Sequence, residues 1–158
     1  MKYNGHEYEN MVVELNLNKN KKIIVGSFFV AFIITFIVIR FIDNDFYFNV
    51  ILALIAGFAT KSCVKKSVCE NSRKTNFVRD IKIVEQVVCK DKILEKVTRD
   101  SGVENNGEYY YRDMILVKED KNNFYMYLNN NSAIIVGKNK LDDICGFKKI
   151  LRDNDLIK

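Results

Sequence analysis

The hydrophobic and polar positions divide the chain into one long apolar region and a second region of short alternating runs. Two apolar blocks, residues 23–42 and 46–60, are joined by a polar tip, Asp43-Asn44-Asp45, and neither contains proline. A helix of about 20 residues rises about 30 Å, which is the thickness of the hydrocarbon core of a bilayer. The second block extends to residue 64 if Lys61 directs its ammonium group to the interface. The pattern predicts a transmembrane helical hairpin over residues 23–60.

Two other interpretations of the apolar region are less compatible with the sequence. A buried helical pair in a soluble protein needs more surrounding chain than the remainder of a 158-residue protein supplies. A cleaved signal peptide has an apolar stretch of about 7–15 residues followed by small residues of the Ala-x-Ala type. The first block is longer than that, and no Ala-x-Ala follows it.

Small residues recur at four-residue spacing in both blocks. Ser27, Ala31 and Thr35 share one face of the first predicted helix, and Ala53 and Gly57 share one face of the second. Small side chains let helix backbones approach closely in lipid, where the hydrophobic effect does not drive association. We expect the two faces to meet within one hairpin, although the same faces could instead join two copies of the chain.

The N-terminal arm, residues 1–22, contains an alternating run. Val13, Leu15 and Leu17 alternate with polar residues, and this period of two is typical of a half-buried strand. The sequence leaves open whether this predicted strand joins the later sheet or remains a loosely held arm.

A basic segment, residues 61–76, follows the hairpin and sets its orientation. We expect it to continue the second helix briefly and to loosen at Asn71-Ser72. Basic residues concentrate on the cytoplasmic side of membrane helices, so both flanks and both termini are predicted to be cytoplasmic and the tip external. The segment either sets topology only or contacts anionic lipid headgroups. The candidate lipid contacts are Lys61, Lys65, Lys66, Arg73 and Lys74.

The remaining part, residues 77–158, has the pattern of a small α+β domain that is mainly antiparallel β. A loop is predicted at residues 100–108 and a β-hairpin at residues 124–136. A closing helix is predicted because Leu141, Ile144, Phe147, Ile150 and Leu151 recur at helical spacing. The five predicted strands are residues 80–88, 93–98, 109–118, 124–128 and 132–136.

The run FYMYLNNNSAIIVGKNKLDDICGF, residues 124–147, resembles the C-terminal hallmark of the YcxB-like family of small bacterial membrane proteins. The resemblance covers about residues 23–151, including two membrane helices, a basic link and the β segments. It implies a β part that is pleckstrin-homology-like (PH-like), a bacterial inner-membrane location and no defined activity. The chain departs from the family at Gly137 for proline, Leu141 for phenylalanine, and Tyr110 or Tyr111 for tryptophan.

Charge and residue chemistry exclude several classes of function. The net charge of +5 comes from residues beside the apolar blocks, while residues 76–158 hold 15 basic and 14 acidic side chains, so nucleic acid is not an expected partner. Cys63, Cys69, Cys89 and Cys145 form no CxxC pair, and His6 is the only histidine. We therefore expect free thiols and predict no metal ligand, no cofactor and no catalytic residue.

Five tyrosines are the most suggestive cluster. An aromatic face on an antiparallel sheet can grip a peptide, although such residues more often pack under a helix or against neighbouring strands. The sequence predicts a membrane-anchored, non-enzymatic protein that binds a protein or peptide partner, with a lipid-headgroup sensor as the alternative. Partners are the lipid bilayer and a protein or a second copy of the chain. The candidate partner contacts are Tyr109, Tyr110, Tyr111, Tyr125 and Tyr127.

Overall fold

The computed structural model describes residues 1–41, 45–74, 80–129 and 132–157, and the chain forms two compact units. The helical unit is Val13–Thr75, and the β unit combines Met1–Val12 with Asn76–Lys158. The predicted tip residues 43 and 44, the predicted turn residues 130 and 131, and residues 75 and 76 of the predicted link lie outside the described residues. The β unit is thus assembled from chain on both sides of the helical unit.

Helix α1 (Gly5–Lys19) occupies the place where we predicted a strand at residues 13–18, so that prediction is wrong. The buried side chains of the helix follow the spacing i, i+3, i+4, i+7, which is the period of one helical face. Those on this face are Tyr8, Met11, Val12 and Leu15, and Val13 beside them is also buried. The shorter alternation at Val13, Leu15 and Leu17 is a coincidence within this longer helical pattern.

A reciprocal cap fixes the start of α1. The Asn4 side-chain oxygen accepts from the Glu7 backbone N–H at 2.8 Å, and a Glu7 carboxylate oxygen accepts from the Asn4 backbone N–H at 3.0 Å. This is a capping box, which satisfies two backbone donors that the first helical turn leaves without partners. The signal, Asn4 followed three residues later by Glu7, is visible in the sequence.

Two long apolar helices, α2 (Lys21–Arg40) and α3 (Phe46–Lys74), confirm the predicted helical pair. Both are long and apolar enough to cross a membrane. Helix α3 does not end at residue 60 or 64 and does not loosen at Asn71-Ser72. It continues to Lys74 because residues 61–74 contain neither proline nor glycine and many good helix formers. Its 29 residues rise about 43 Å, which exceeds the hydrocarbon core.

The C-terminal half of α1 lies beside the end of α3. Val13 and Leu15 are buried in the helical unit. A cavity of about 310 Å³ between the two helices is lined by Asn16, Asn20, Val68, Asn71 and Ser72. The basic segment that we predicted as a link is therefore one member of a helix pair, which we call the stem, residues 13–20 and 61–74.

The small residues of α3 face α2, as predicted, but their partner is aromatic. Ala53 and Gly57 are buried, whereas Ser27, Ala31 and Thr35 are only half-buried. A Cβ added at Gly57 would lie 2.8 Å from two ring carbons of Phe28 and 3.1 Å from its carbonyl oxygen. Glycine at 57 is thus required by the close approach of the Phe28 ring and backbone.

A stripe of phenylalanines on α2 continues this contact. Phe28 stacks on Phe32 and Phe32 on Phe36, each with ring centroids 6.2 Å apart. Phe28 meets Phe58 of α3 edge-on at 5.0 Å. Aromatic edge-to-face contacts of this kind stabilise beyond the area they bury.

The four-stranded antiparallel sheet of the β unit has the order β1-β2-β3-β4. Its strands are β1 (Lys2–Asn4), β2 (Ile81–Val88), β3 (Lys92–Arg99) and β4 (Glu104–Tyr110). Most of the loop predicted at residues 100–108 is in fact β4, and Gly102, at φ +80°, belongs to the short turn that precedes it. The predicted run at residues 109–118 is interrupted by a 3-10 turn at Tyr111–Asp113.

The three-stranded antiparallel sheet consists of β5 (Leu116–Glu119), β6 (Asn123–Tyr127) and β7 (Ala133–Gly137), in that order. The predicted hairpin of β6 and β7 is confirmed. Helix α4 (Ile144–Asp153) follows, and Asp143 is its N-cap, with Oδ1 accepting from the Gly146 N–H at 2.8 Å. The described residues therefore form seven strands instead of the five predicted.

One core joins both sheets to α4. Phe124 and Phe147 meet with ring centroids 5.2 Å apart at its centre. Ile93 comes from the larger sheet and Leu151 from α4. The antiparallel sheets and the C-terminal helix of the predicted α+β domain are thus present.

Candidate functional site

The five basic residues predicted to contact lipid do not form one face. All lie on the last turns of α3, where Lys61 is half-buried and the other four are exposed. Successive helical residues turn by about 100°, so these side chains point around most of the helix. Lys66 also lies 3.9 Å from Glu70. The segment presents scattered positive charge over about 20 Å of helix, not a convergent anion site.

The five predicted tyrosines do not form an exposed face, which corrects that part of the prediction. Tyr111, Tyr125 and Tyr127 are buried, and Tyr109 and Tyr110 are half-buried. The 3-10 turn redirects Tyr111 into the core, where its hydroxyl donates to the Cys89 carbonyl oxygen at 3.2 Å. These residues therefore pack inside the β unit and leave little aromatic surface for a partner.

Two of these tyrosines are held by polar partners within the domain. The Tyr125 hydroxyl donates to Asp120 Oδ2 at 2.7 Å and accepts from Asn123 Nδ2 at 3.1 Å. The Tyr110 hydroxyl donates to Glu108 Oε2 at 3.2 Å. Buried hydroxyls find such partners as a rule, so the bonds of Tyr125 indicate a structural role.

The β unit instead carries a groove of about 420 Å³ between strand β2 and helix α4. This volume lies within the range of about 300–1,000 Å³ typical of small-molecule sites. Apolar side chains from β2, from α4 and from the segment before α4 line it, namely Val87, Val88, Leu141, Phe147 and Ile150. Val87 is 56% exposed although it lies on a strand.

Charged groups border the groove on the side of α4. Asp142 and Asp143 are exposed and Lys140 is half-buried. The Lys140 ammonium lies 3.2 Å from Glu7 Oε1. The Asn4 backbone N–H and then this lysine lower the pKa of Glu7, so the carboxylate stays ionised and offsets the lysine charge. The two aspartates leave this border negative.

The edge of β2 beside the groove is only partly paired. The Met1 backbone N donates to the Gln86 carbonyl oxygen at 2.6 Å, and the Met1 carbonyl accepts from the Gln86 N–H at 2.8 Å. Strand β1 runs along β2 from Asn4, opposite Ile83, towards this point. In the described chain no strand continues this pairing to Val88, where β2 ends.

Buried polar side chains fasten the two sheets together behind the groove. Gln86 Nε2 donates to Glu95 Oε2 at 2.6 Å and to the Ile135 carbonyl oxygen of β7 at 3.1 Å. The Tyr3 hydroxyl accepts from the Gly137 N–H of β7 at 3.0 Å. Side chains of the larger sheet thus take hydrogen-bonding groups on the open edge of β7, which a further strand would otherwise use.

Burial changes the proton affinity of these groups. It raises the pKa of Tyr3 to about 12 and raises the pKa of Glu95 above its usual range, although the hydrogen bond from Gln86 opposes the second shift. These buried groups link the two sheets. The groove between β2 and α4, in contrast, is open to solvent.

Sequence reasoning identified the strand and the helix but not the groove between them. Val87 and Ile150 were assigned to their correct elements, yet nothing in their spacing shows that those elements border one cavity. The polar signal was Gln86, a buried amide within the run IKIVEQVV. A buried amide in a strand points to a hydrogen-bonding partner elsewhere in the fold.

No family model, curated protein or solved structure matches this chain. The function is therefore argued from the groove, the helices and the charges alone.

Proposed function

We propose that this chain is a membrane-anchored, non-enzymatic protein whose β unit binds a peptide or protein partner in the groove between β2 and α4. The observation that carries the proposal is the apolar lining of this groove, whose volume of about 420 Å³ lies within the range of known binding sites. The exposed Val87 in the groove is a further reason, since exposed apolar surface often marks an interaction site.

The membrane part of the proposal is supported by the burial of the helices. In the most apolar 18-residue window, only 6% of α2 and 17% of α3 is buried. Ile23, Phe29 and Ile34 are each more than half exposed. An apolar helix that is not covered by protein is stable where lipid surrounds it. We place the protein in a bacterial inner membrane as a two-helix, multi-pass protein.

The pairing of β1 with β2 supports a hairpin with both flanks on one side. Strand β1 precedes the two helices and β2 follows them, and Tyr3 lies opposite Val84 in the sheet. Chain segments on opposite sides of a membrane could not share this sheet. The lysines that flank the helices favour the cytoplasmic side for both termini.

We also propose that the β unit is PH-like and that the chain is related to the YcxB-like family. Support comes from its four-stranded and three-stranded antiparallel sheets and from the helix that closes one core with them. A structure determination of the intact protein that gave another sheet order would contradict the PH-like assignment.

The experiment that tests partner binding is site-specific photo-crosslinking in the native membrane. A photoreactive residue replaces Val87 in the groove, and the control replaces Val103, which is exposed outside it (56% and 52% exposed). The full chain is used because a fragment that begins at residue 61 lacks β1 and α1. We expect one defined adduct from position 87 and none from position 103. Equal labelling at both positions, or no adduct at position 87, contradicts the proposal.

A lipid-headgroup sensor is the second candidate, and one observation favours it. Helix α3 is about 43 Å long and ends in exposed lysines and an arginine beyond its apolar part. Each such residue gains about 1 kcal/mol near an anionic leaflet. Replacing Lys65 and Lys66 with glutamine should lower the anionic lipid that co-purifies with the intact protein. Replacing Lys90 and Lys121, exposed on the β unit, should not.

A further inference from the structure

We infer that the cavity of the stem binds an anionic phospholipid through a headgroup that carries hydroxyl groups, as that of phosphatidylglycerol does. This rests on the membrane anchoring proposed above but not on the groove of the β unit, and it gives the lipid-headgroup candidate a specific site. Three features carry it: the polar lining of the cavity, its level relative to the apolar part of the helices, and two lysines below it.

The first feature is the lining, which is polar but uncharged. Three asparagines, one serine and one valine border the cavity. A carboxamide offers both a donor and an acceptor, and so does a hydroxyl, so a hydroxyl-rich ligand matches this lining. A carboxylate only accepts and would leave the amide oxygens without donors. At about 30 Å³ per water, the cavity of about 310 Å³ holds about ten water-sized groups, which is about the number of non-hydrogen atoms in glycerol phosphate.

The lining side chains converge because they lie on facing stripes of the two helices. Asn16 and Asn20 are one turn apart at the end of α1, and Val68, Asn71 and Ser72 keep the spacing i, i+3, i+4 on α3. Asn20 Nδ2 donates to the Asn16 carbonyl oxygen at 2.9 Å, and Ser72 Oγ donates to the Val68 carbonyl oxygen at 2.7 Å. Among the residues that the structure describes, the side-chain amides of Asn16 and Asn71 make no hydrogen bond to protein, so a ligand can use both.

The second feature is the level of the cavity. The apolar run of α2 begins at Ile23. Along the helix axis, Asn20 lies about 5 Å and Asn16 about 10 Å beyond that residue. The polar headgroup layer extends about 5–7 Å beyond the hydrocarbon core on each side of a bilayer. The cavity therefore begins in the headgroup layer and lies beyond the acyl chains.

The third feature is the position of two lysines on α3. Successive residues turn by about 100°, so Lys61 and Lys65 lie on the side of the helix that carries Val68, whereas Lys66 lies nearly opposite. Lys61 is half-buried and precedes Val68 by about two turns, on the side nearer the apolar part. A lipid phosphate beside these two lysines would be neutralised by their ammonium groups and would direct the headgroup hydroxyls into the cavity.

Native mass spectrometry of the full chain in detergent micelles tests the preference for hydroxyl groups. The protein is titrated with phosphatidylglycerol and, separately, with phosphatidylserine, which has the same net charge but carries an ammonium and a carboxylate instead of hydroxyls. We expect phosphatidylglycerol to bind about tenfold more tightly, the effect of one or two hydrogen bonds. Equal binding of the two lipids overturns the inference, because scattered positive charge alone would explain it.

Substitution of the lining tests whether this preference arises in the cavity. Asn71→Leu removes one amide at similar side-chain volume, and the exposed site tolerates the change. It should reduce the binding of phosphatidylglycerol to the level of phosphatidylserine and leave phosphatidylserine unchanged. The control is Asn18→Leu, at an exposed site outside the lining. Equal losses in the two variants, or no loss in Asn71→Leu, contradict the site.

A second pair of variants tests the phosphate contact. Lys65→Gln should weaken the binding of both lipids about fivefold, the contribution of one lysine near an anionic lipid. Lys66→Gln, on the opposite side of α3, should weaken it by less than about twofold. Equal effects of the two substitutions would show that the phosphate does not lie on the side of the cavity, and would overturn the inference.

Free glycerol phosphate distinguishes a lipid from a soluble ligand of the same chemistry. At equal concentration it should not displace phosphatidylglycerol, because the acyl chains also contribute to the binding of the lipid. Displacement would assign the cavity to the soluble compound and overturn the lipid assignment.

Failure of this inference differs from failure of the proposed function. If the chain fractionates with membranes but does not prefer phosphatidylglycerol, only the inference falls. If the chain is recovered in the soluble fraction, the membrane part of the proposed function falls with it. Photo-crosslinking at position 87 tests the groove independently of both results.

Discussion

The helical unit and the β unit contain similar side chains in opposite surroundings. Phe29 and Ile33 on α2 are 55% and 53% exposed, whereas Phe124 and Met126 on β6 are fully buried. The β unit removes its large apolar side chains from solvent by folding two sheets and a helix around them. The helical unit covers only one face of each helix, as expected if lipid covers the rest.

The two units also differ in how their parts are joined. Between α2 and α3 the joint is steric, with Gly57 under the Phe28 ring and aromatic rings in contact. Between the sheets of the β unit, hydrogen bonds from Gln86 and Tyr3 supplement the apolar core. Disruption of the helix contact should leave the β unit intact, and disruption of the contacts between the sheets should leave the helical unit intact.

The largest effect is expected from Phe147→Ala in the core of the β unit. Loss of a buried phenylalanine at the contact with Phe124 should lower the free energy of unfolding of this unit by about 3–5 kcal/mol. Hydrogen–deuterium exchange of the intact protein should show faster exchange in β2–β7 and unchanged exchange in α2 and α3. Ile144→Ala, at the exposed start of α4, is the control. Equal loosening of both units would refute their independence.

Gly57→Leu should disrupt the helical unit instead. The added side chain meets the Phe28 ring and carbonyl, and overpacking of this kind costs about 2–3 kcal/mol. Energy transfer between dyes on α2 and α3, followed during titration with denaturing detergent, should show earlier separation of the helices. At Gly26 an added Cβ meets no heavy atom of the described residues within 4 Å apart from its chain neighbours and its own helix backbone, so Gly26→Leu should behave like the parent. If the helices of Gly57→Leu separate at the same detergent concentration as those of the parent, the contact of Gly57 with Phe28 does not hold α2 against α3.

Tyr3→Phe examines the hydrogen-bonded joint between the sheets. It removes the hydroxyl that accepts from the buried Gly137 N–H, and an unsatisfied buried donor costs about 1–2 kcal/mol. Amide exchange should quicken at β7 first. Tyr110→Phe removes a hydroxyl that donates to exposed Glu108, in a bond at the surface, and should have little effect. If both variants exchange alike, the Tyr3 bond does not join the sheets.

The smallest effect on stability is expected from Glu95→Gln, and it depends on pH. Burial raises the pKa of this carboxyl in the folded chain above that in the unfolded chain. Between the two pKa values the folded chain binds the proton more strongly, so the contribution of Glu95 to stability is lost as pH rises through this window. Glu95→Gln keeps an acceptor for Gln86 Nε2 and should gain stability over the parent as pH rises.

Denaturation of parent and variant at about pH 4 and about pH 8, on either side of the usual range for glutamate, checks this. The same difference in unfolding free energy at both pH values would show that Glu95 does not titrate differently in the folded chain. The comparison is Glu85→Gln, at a half-buried site on the neighbouring strand, where the Lys2 ammonium lowers the pKa of the carboxyl and the trend with pH should be opposite.

The local elements could be predicted where one pattern dominated. The helical pair was evident because residues 23–39 contain no charged side chain, and the closing helix because Phe147, Ile150 and Leu151 keep helical spacing. Helix α1 was missed because three alternating residues, Val13, Leu15 and Leu17, obscured the capping box at Asn4 and Glu7. Strand β4 was missed because its Asn105, Asn106 and Gly107 resemble a loop, although an exposed edge strand tolerates polar residues.

The candidate site could not be predicted from the sequence for a different reason. The tyrosines resembled a binding face, but the 3-10 turn and the pairing of β6 between two strands bury three of them. The groove depends on how α4 and the segment before it pack beside the end of β2. This is a long-range property of the fold that no local spacing expresses.

The pairing of β1 also determines the order in which the protein can be assembled. Lys2 lies opposite Glu85, so about 80 residues must be synthesised before β1 has its partner. At about 5–20 residues per second this takes about 4–16 s. During that interval β1 is complete, and both long helices are finished before β2 is made. The helices therefore form first, and the strand that is translated earliest is among the last to find its place in the sheet.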